Sequence, residues 1–197
     1  MEASPQSHFY VVSMRKFTLL FIGTVGLYAF YWFYRMFKTM GQTTNRDVFP
    51  ILRALLPFLF ILGLNNFIYR EEQKRENPRN WSPDFLAWVF VGSWATQMLL
   101  VLANDNIQPM FYMLIQMVAF LAQFYSIYQV QLAVNRIEKD PFGRANTQLN
   151  TTNILWLLFG IFFWANTLLN TYLLQTGRLP HKMQEQPVEE VMPAPIQ

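Results

Sequence analysis

The side chains in this sequence that are best placed to form specific polar interactions are carboxamides inside long apolar stretches. Gln116 and Gln123 are seven residues apart and Asn166 and Asn170 are four apart, so each pair shares one face of a helix. Such faces are expected to point into a helix bundle, where amides either hydrogen-bond between helices or line a polar path for a solute. The candidate intramembrane polar residues are Gln97, Gln116, Gln123, Asn166, Asn170, Asn65 and Asn66.

Groups suited to catalysis or metal binding are sparse. The chain has no cysteine, and its two histidines, His8 and His181, lie in opposite tails. Asp84 and Asp105, the acids closest to the apolar stretches, flank the third stretch from opposite ends and therefore cannot act as a catalytic pair. No phosphate-binding glycine loop or hydrolase motif is present. The sequence predicts no catalytic residue, metal or cofactor.

Basic residues accumulate where the apolar stretches end. The formal net charge is +3, but the positions follow the positive-inside rule, so nucleic acid is not an expected partner. These residues indicate a candidate cytoplasmic basic face that contacts anionic lipid or a cytosolic protein. Its members are Arg35, Lys38, Arg46, Arg53, Lys74, Arg75 and Arg79.

Five apolar runs position these side chains: residues 17–34, 54–69, 85–103, 110–128 and 154–174. Hydrophobic residues make up 53% of the chain and charged residues 14%, against about 25% charged in soluble domains. We therefore predict an all-α, polytopic transmembrane helical bundle over residues 17–175. It lies between a polar tail of residues 1–16 and a disordered Pro, Gln and Glu-rich tail of residues 176–197.

The second run is shorter than a membrane span requires. Arg53 and Pro57 lie near its start, and about sixteen residues remain, or roughly 24 Å of helix against a hydrocarbon core about 30 Å thick. We expect four spanning helices plus this short, partly inserted helix, with five spans as the alternative.

The other runs have clearer boundaries. Residues 17–34 are expected to form one retained helix, and residues 70–84 an exposed polar loop. After the fourth run, Ile127, Val130, Val134 and Ile137 recur at helical spacing, so that helix is expected to continue as an amphipathic extension.

The distribution of Lys and Arg predicts the orientation. Basic loops from Arg70 onward are expected in the cytoplasm, and the turn at residues 104–106 and the C-terminal tail outside. The side of the N-terminal tail depends on whether the second run spans.

Several segments resemble a family of small bacterial multi-pass inner-membrane proteins of unassigned function. They are Thr24-x-Gly26-x-Tyr28 with Tyr31-Trp32-Phe33-Tyr34-Arg35, Arg53-Ala54 with Pro57, Val130-Gln131, Ala133-Val134-Asn135 and Asn153-Ile154. Phe37 and Glu138 depart from the family pattern, which prefers Trp and Asn there. The resemblance implies a bacterial inner membrane and a similar bundle, and it supplies no activity.

The sequence as a whole favours a non-catalytic structural or accessory membrane component that binds a partner or organises lipid. Its partners are the lipid bilayer and, as alternatives, another membrane or cytosolic protein or a further copy of the chain. The second hypothesis is a small channel or transporter subunit with a path lined by Gln and Asn. An enzyme that acts on lipid ranks third.

Overall fold

Helices form the regular structure of this chain, which confirms the all-α prediction. The computed structural model describes residues 9–103 and 107–175, and no strand occurs within them. The helices are α1 (Met14–Gly23), α2 (Tyr28–Thr44), α3 (Pro50–Leu55), α4 (Pro57–Gln73), α5 (Pro83–Leu102), α6 (Pro109–Ile137) and α7 (Thr151–Gln175), with a short 3-10 turn at Arg144–Asn146. The predicted disordered tail, the first half of the N-terminal tail and the turn at residues 104–106 lie outside the described residues.

Three helices of the described chain are long and apolar enough to cross a membrane. They are Pro83–Leu102 in α5, Met110–Ile137 in α6 and Thr151–Asn170 in α7, judged by length and composition. They correspond to the last three apolar runs and indicate a membrane protein. The predicted count of four spans is not confirmed.

The first apolar run is not one helix, contrary to the prediction. It breaks between α1 and α2, where Val25 and Gly26 both have positive φ, at 54° and 83°. Thr24 joins the two helices: its hydroxyl donates to the Leu20 carbonyl at 2.7 Å and accepts from the Tyr28 amide at 2.9 Å. The apolar composition gave no sign of this break, because a tight turn needs only a few residues that can adopt positive φ and needs no charged residue.

Helix α1 packs antiparallel to the middle of α6. The Phe17 ring lies 6.4 Å from Tyr128, and the Phe21 ring lies 5.1 Å from Phe120. Gly26 then turns the chain beside the same Phe120 ring. The ten residues of α1 extend about 15 Å, half of a hydrocarbon core. The first run is therefore a helical hairpin whose tip lies part-way along α6.

The second run also divides near its predicted start. Arg53 lies in the short α3, and Pro57 occupies the first turn of α4, where a missing N–H costs no hydrogen bond. Helix α4 continues to Gln73, so the first part of the loop predicted for residues 70–84 is helical. Within it Glu72 is buried and accepts a hydrogen bond from the Trp81 indole at 2.6 Å.

The densest core surrounds the C-terminal part of α6. Ile127, Val130 and Val134 are fully buried, and α6 continues to Ile137, which confirms that the helix extends beyond the fourth run. Aromatic side chains from α2 and α5 complete this core, including Phe33 and Phe90, whose rings meet edge to face at 5.3 Å. Two polar side chains of the extension, Gln131 and Asn135, are fully buried as well.

Helix α7 packs mainly against α1, and its Trp164 ring also lies 6.4 Å from the Phe120 ring of α6. A Cβ on Gly160 would lie 1.8 Å from the Gly23 carbonyl oxygen, so only glycine permits this approach. The Trp164 indole donates to the Ile22 carbonyl at 2.8 Å. Most of the remaining α7 surface is exposed.

We expect Gly160→Ala to lower the melting temperature of the detergent-solubilised protein, because the new methyl group must push α7 away from α1. Overpacking that costs about 1–3 kcal/mol lowers the melting temperature of a chain of this size by about 2–12 °C. The matched control is Gly92→Ala on α5, where a Cβ meets nothing within 4 Å. That variant should melt at the wild-type temperature or slightly above it, and equal melting of both variants would contradict the close contact.

Candidate functional site

A groove of about 570 Å³ opens between the N-terminal segment, α2 and the loop after α6. Among the described residues, its lining combines three tyrosines, two cations and two side-chain amides, with no carboxylate. The lining residues are Phe9, Tyr10, Val11, Tyr31, Tyr34, Arg35, Lys38, Thr39, Gln42, Ala145 and Asn146. We refer to this site as the groove.

Helix α2 supplies one wall because it is amphipathic. Tyr31, Arg35 and Lys38 follow each other at helical spacing along the groove. The opposite face buries Trp32 and Phe33 in the core. Burial of those rings therefore fixes the rotation of α2 and the direction of its cations.

Arg35 is held in place by aromatic rings. Its guanidinium carbon lies 4.4 Å from the centre of the Tyr10 ring and 5.9 Å from that of Tyr31, and Nη1 donates to the Tyr31 hydroxyl at 3.0 Å. Stacking of this kind orients the cation and does not neutralise its charge. In the described part of the chain, the one ion pair joins Lys74 to Glu71. The groove is therefore positively charged.

Tyr10 keeps its proton in this setting. Burial raises the pKa of its phenol, an effect that outweighs the opposing influence of nearby hydrogen bonds and of Arg35. Its hydroxyl lies 3.4 Å from that of Tyr28. The phenol thus remains neutral and can donate a hydrogen bond at neutral pH.

The second wall is an extended segment, residues 9–13, whose backbone is held by side-chain amides. The Asn135 amide donates to the Val12 carbonyl at 2.9 Å and accepts from the Val12 N–H at 3.3 Å. Gln131 donates to the Tyr10 carbonyl at 3.2 Å, and Asn146 donates to that of Val11 at 2.9 Å. We call these three side chains, Gln131, Asn135 and Asn146, the amide clamp.

The amide clamp also connects the two walls of the groove. Gln131 accepts a hydrogen bond from the Trp32 indole at 2.5 Å and donates to the Asn135 side chain at 2.7 Å. Trp32, Gln131 and Asn135 are fully buried. Helix α2, helix α6 and the N-terminal segment therefore share one hydrogen-bond network.

The loop after α6 closes against this network. Gly143 has φ 63°, and a Cβ there would lie 2.4 Å from the Val12 carbonyl. Asp140 accepts from the Ala145 N–H at 2.8 Å, a bond that lowers the pKa of this carboxyl. Lys16 is buried and donates to Asn146 Oδ1 at 2.7 Å and to the Gln148 carbonyl at 2.6 Å. These contacts fix the loop as the third side of the groove.

Of the predicted amides on α5 and α6, two bond to each other and one does not. Gln97 donates to Gln123 Oε1 at 3.1 Å, which joins the two helices. Gln116 is half-buried, and its Oε1 has no hydrogen-bond partner. Asn65 and Asn66 lie on α4. Asn65 donates to the Pro83 carbonyl at 3.2 Å, and Asn66 donates to the Asp84 carboxylate at 2.8 Å. They connect α4 to the start of α5.

Asn166 and Asn170 do not point into the bundle, contrary to the prediction. Both are exposed, and Asn170 donates to Asn166 Oδ1 at 2.6 Å. They share a helix face, as their spacing predicted, but α7 packs on α1 through Leu157, Gly160 and Trp164 instead. The close approach at Gly160 determines which face turns inward.

The predicted basic residues take several different positions. Only Arg35 and Lys38 line the groove, and Arg46 borders an adjoining hollow that shares Lys38 and Gln42. The others are used elsewhere: Arg53 stacks on Phe60 at 4.9 Å, Lys74 pairs with Glu71, Arg79 donates to Gln129, and Arg75 is exposed.

Several groove residues were not singled out as site candidates from the sequence, namely Tyr10, Tyr31, Tyr34 and the amide clamp. Gln131 and Asn135 carried a signal, because they are two amides four residues apart among buried apolar residues. Tyr10 and Asn146 carried none, since they meet only through the folding of distant segments.

The described lining of the groove offers cations, phenols and amides as contacts for a ligand. Within residues 9–103 and 107–175, no cluster of three His, Cys, Asp or Glu side chains could hold a metal ion. Comparison of the chain with known protein families, with curated proteins and with solved structures found no match. The arrangement is suited to hold an anionic group against Arg35 and Lys38.

Replacing Asn135 with leucine should release the N-terminal wall. The substitution leaves the buried N–H and carbonyl of Val12 unpaired, at about 1–3 kcal/mol for each group. We expect a cysteine introduced at Val11 to react faster with maleimide in the Asn135→Leu background than in the wild-type background. Asn80→Leu, at an exposed loop position, is the control, and equal rates in all three backgrounds would argue against the clamp.

The bond between Gln97 and Gln123 leads to a second expectation, which concerns access of water. A cysteine at Gln123 should resist a membrane-impermeant maleimide in both vesicle orientations, because its side chain packs between α5 and α6. A cysteine at the exposed Gln42 should react in one orientation. Labelling of Gln123 at a comparable rate would favour a water-filled path and the transport hypothesis.

Proposed function

We propose that this chain is an integral membrane protein without catalytic chemistry that organises anionic lipid at its basic side. The observation that carries this proposal is the groove, in which Arg35 and Lys38 lie among three tyrosines with no carboxylate. A site with two cations and no acid attracts an anion of matching size.

A phospholipid headgroup fits the chemistry of the groove. Arginine binds phosphate through a planar fork of donors, and the Tyr31 hydroxyl and Tyr10 ring already orient Arg35. Tyrosine is favoured at the boundary between lipid and water. A volume of about 570 Å³ is within the common range for small-ligand sites, about 300–1,000 Å³.

The proposed placement has three full spans, α5, α6 and α7, in a bacterial inner membrane. The hairpin of α1 and α2 enters from the cytoplasmic side and returns to it, which its tip beside Phe120 supports. All Lys and Arg residues except Arg178 and Lys182 then lie on the cytoplasmic side, a steeper bias than four spans give. The C-terminal tail is external in this arrangement.

The transport alternative has less support. Its path would follow the Gln and Asn faces, but Gln97 and Gln123 bond to each other, and Asn166 and Asn170 lie on the outer surface of α7. Binding of a partner protein at the basic side is compatible with the groove and is secondary to lipid in this proposal.

The test compares lipid binding by purified protein in nanodiscs. We expect Arg35→Gln with Lys38→Gln to weaken retention of phosphatidylglycerol over phosphatidylcholine, measured by native mass spectrometry. Each cation near an anionic surface contributes about 1 kcal/mol, so the double variant should bind about thirtyfold more weakly.

The control removes the same charge elsewhere, through Arg75→Gln with Lys139→Gln, both at exposed positions. This variant should retain most of the preference for the anionic lipid. If both double variants lost the preference for phosphatidylglycerol equally, net charge alone would explain the effect, and the groove would be overturned as the lipid site. Inorganic phosphate added as a competitor distinguishes a lipid site from a site for free anions. Millimolar phosphate should displace the lipid from a free-anion site and should not displace it from a lipid site.

A further inference from the structure

Helix α7 presents an exposed stripe that repeats with the spacing of a helix–helix interface. Trp156, Phe159, Phe163, Asn166 and Asn170 follow one another at alternating steps of three and four residues, and we call them the α7 seam. This spacing places all five along one line for a partner helix inclined by about 20°. The three rings are exposed by 45–48%, and neighbouring rings contact each other at 6.0 and 5.5 Å.

The asparagines distinguish the α7 seam from an ordinary lipid-facing surface. Among the described side-chain amides of the three candidate spans, Asn166 and Asn170 are the exposed ones, whereas Gln97, Gln123 and Gln131 are half-buried or buried. Hydrocarbon supplies no hydrogen-bond partner, and amides in spanning helices therefore favour contact with another helix.

We infer that the α7 seam binds a second copy of this chain, so that two α7 helices pack in parallel across a two-fold axis along the membrane normal. The self-complementary chemistry of asparagine supports this occupant. Asn170 donates one N–H to Asn166 Oδ1, and each of the two side chains keeps at least one further donor and one further acceptor position. A two-fold axis brings each asparagine to the same depth as its counterpart in the other copy, where one amide can donate to the other.

The inner face of α7 is compatible with this arrangement. Gly160 and Trp164 secure α7 to α1 on a neighbouring face of the helix, so pairing along the α7 seam displaces no contact within the chain. The inference is independent of the groove, because none of the groove residues belongs to α7.

Single cysteines test the inference in native membranes, since the chain contains none. Under oxidation, Phe163→Cys should form a disulfide-linked dimer of twice 23.3 kDa. Ile161→Cys should not, although it is 60% exposed and lies at nearly the same depth on the opposite side of α7. Equal dimer from both positions, no dimer from Phe163→Cys, or a cross-link to a different protein would overturn the inference.

The asparagines are tested in the Phe163→Cys background. Asn166→Leu with Asn170→Leu should reduce the dimer fraction at least fivefold, whereas Ala165→Leu on the opposite side should leave it unchanged. Native mass spectrometry of the cysteine-free protein in nanodiscs provides a second measurement, with a dimer expected for wild type and a monomer for the double leucine variant. A wild-type monomer in nanodiscs would count against the inference, as would an unaltered dimer in the double variant.

Discussion

The fold depends on satisfying backbone hydrogen bonds inside apolar surroundings. Residues 9–13 run extended next to the core, with Val12 fully buried, and no strand lies beside them in the described chain. An unpaired N–H or carbonyl in such a place is costly. The amide clamp provides the missing partners from α6 and the following loop, and Glu138 accepts from the Phe9 N–H at 2.8 Å. Side chains thus take the role that a neighbouring strand has in a sheet.

This network determines the position of the groove. Because Gln131 bonds both to Trp32 and to the Tyr10 carbonyl, the rotation of α2 and the path of the N-terminal segment are coupled. Arg35 can stack on Tyr10 only when both are in place. A basic site is therefore assembled from three segments that are distant in sequence, around an amide clamp that is itself uncharged.

The sequence was most informative where the signal is long and compositional. Runs 85–103, 110–128 and 154–174 correspond to α5, α6 and α7, because length and apolar content alone define a candidate span. The break at residues 24–27 was not predictable in this way, since Val25 and Gly26 are as apolar as their neighbours and differ only in φ. The outward direction of Asn166 and Asn170 depends on the contact of Gly160 with Gly23, and the groove depends on the meeting of Tyr10, Tyr31 and Asn146. Periodicity within one helix contains no information about contacts of that kind.

The hairpin of α1 and α2 also imposes an order on biogenesis. Its partners lie far along the chain, and the bonds between Val12 and Asn135 join residues 123 positions apart. At synthesis rates of roughly 5–20 residues per second, α6 emerges about 6–25 s after the N-terminal segment that it must bind. During this interval the hairpin has no amide clamp and no Phe120 to pack against, so its native packing follows the arrival of α6. Helix α6, synthesised long after α1 and α2, therefore provides the template on which they pack.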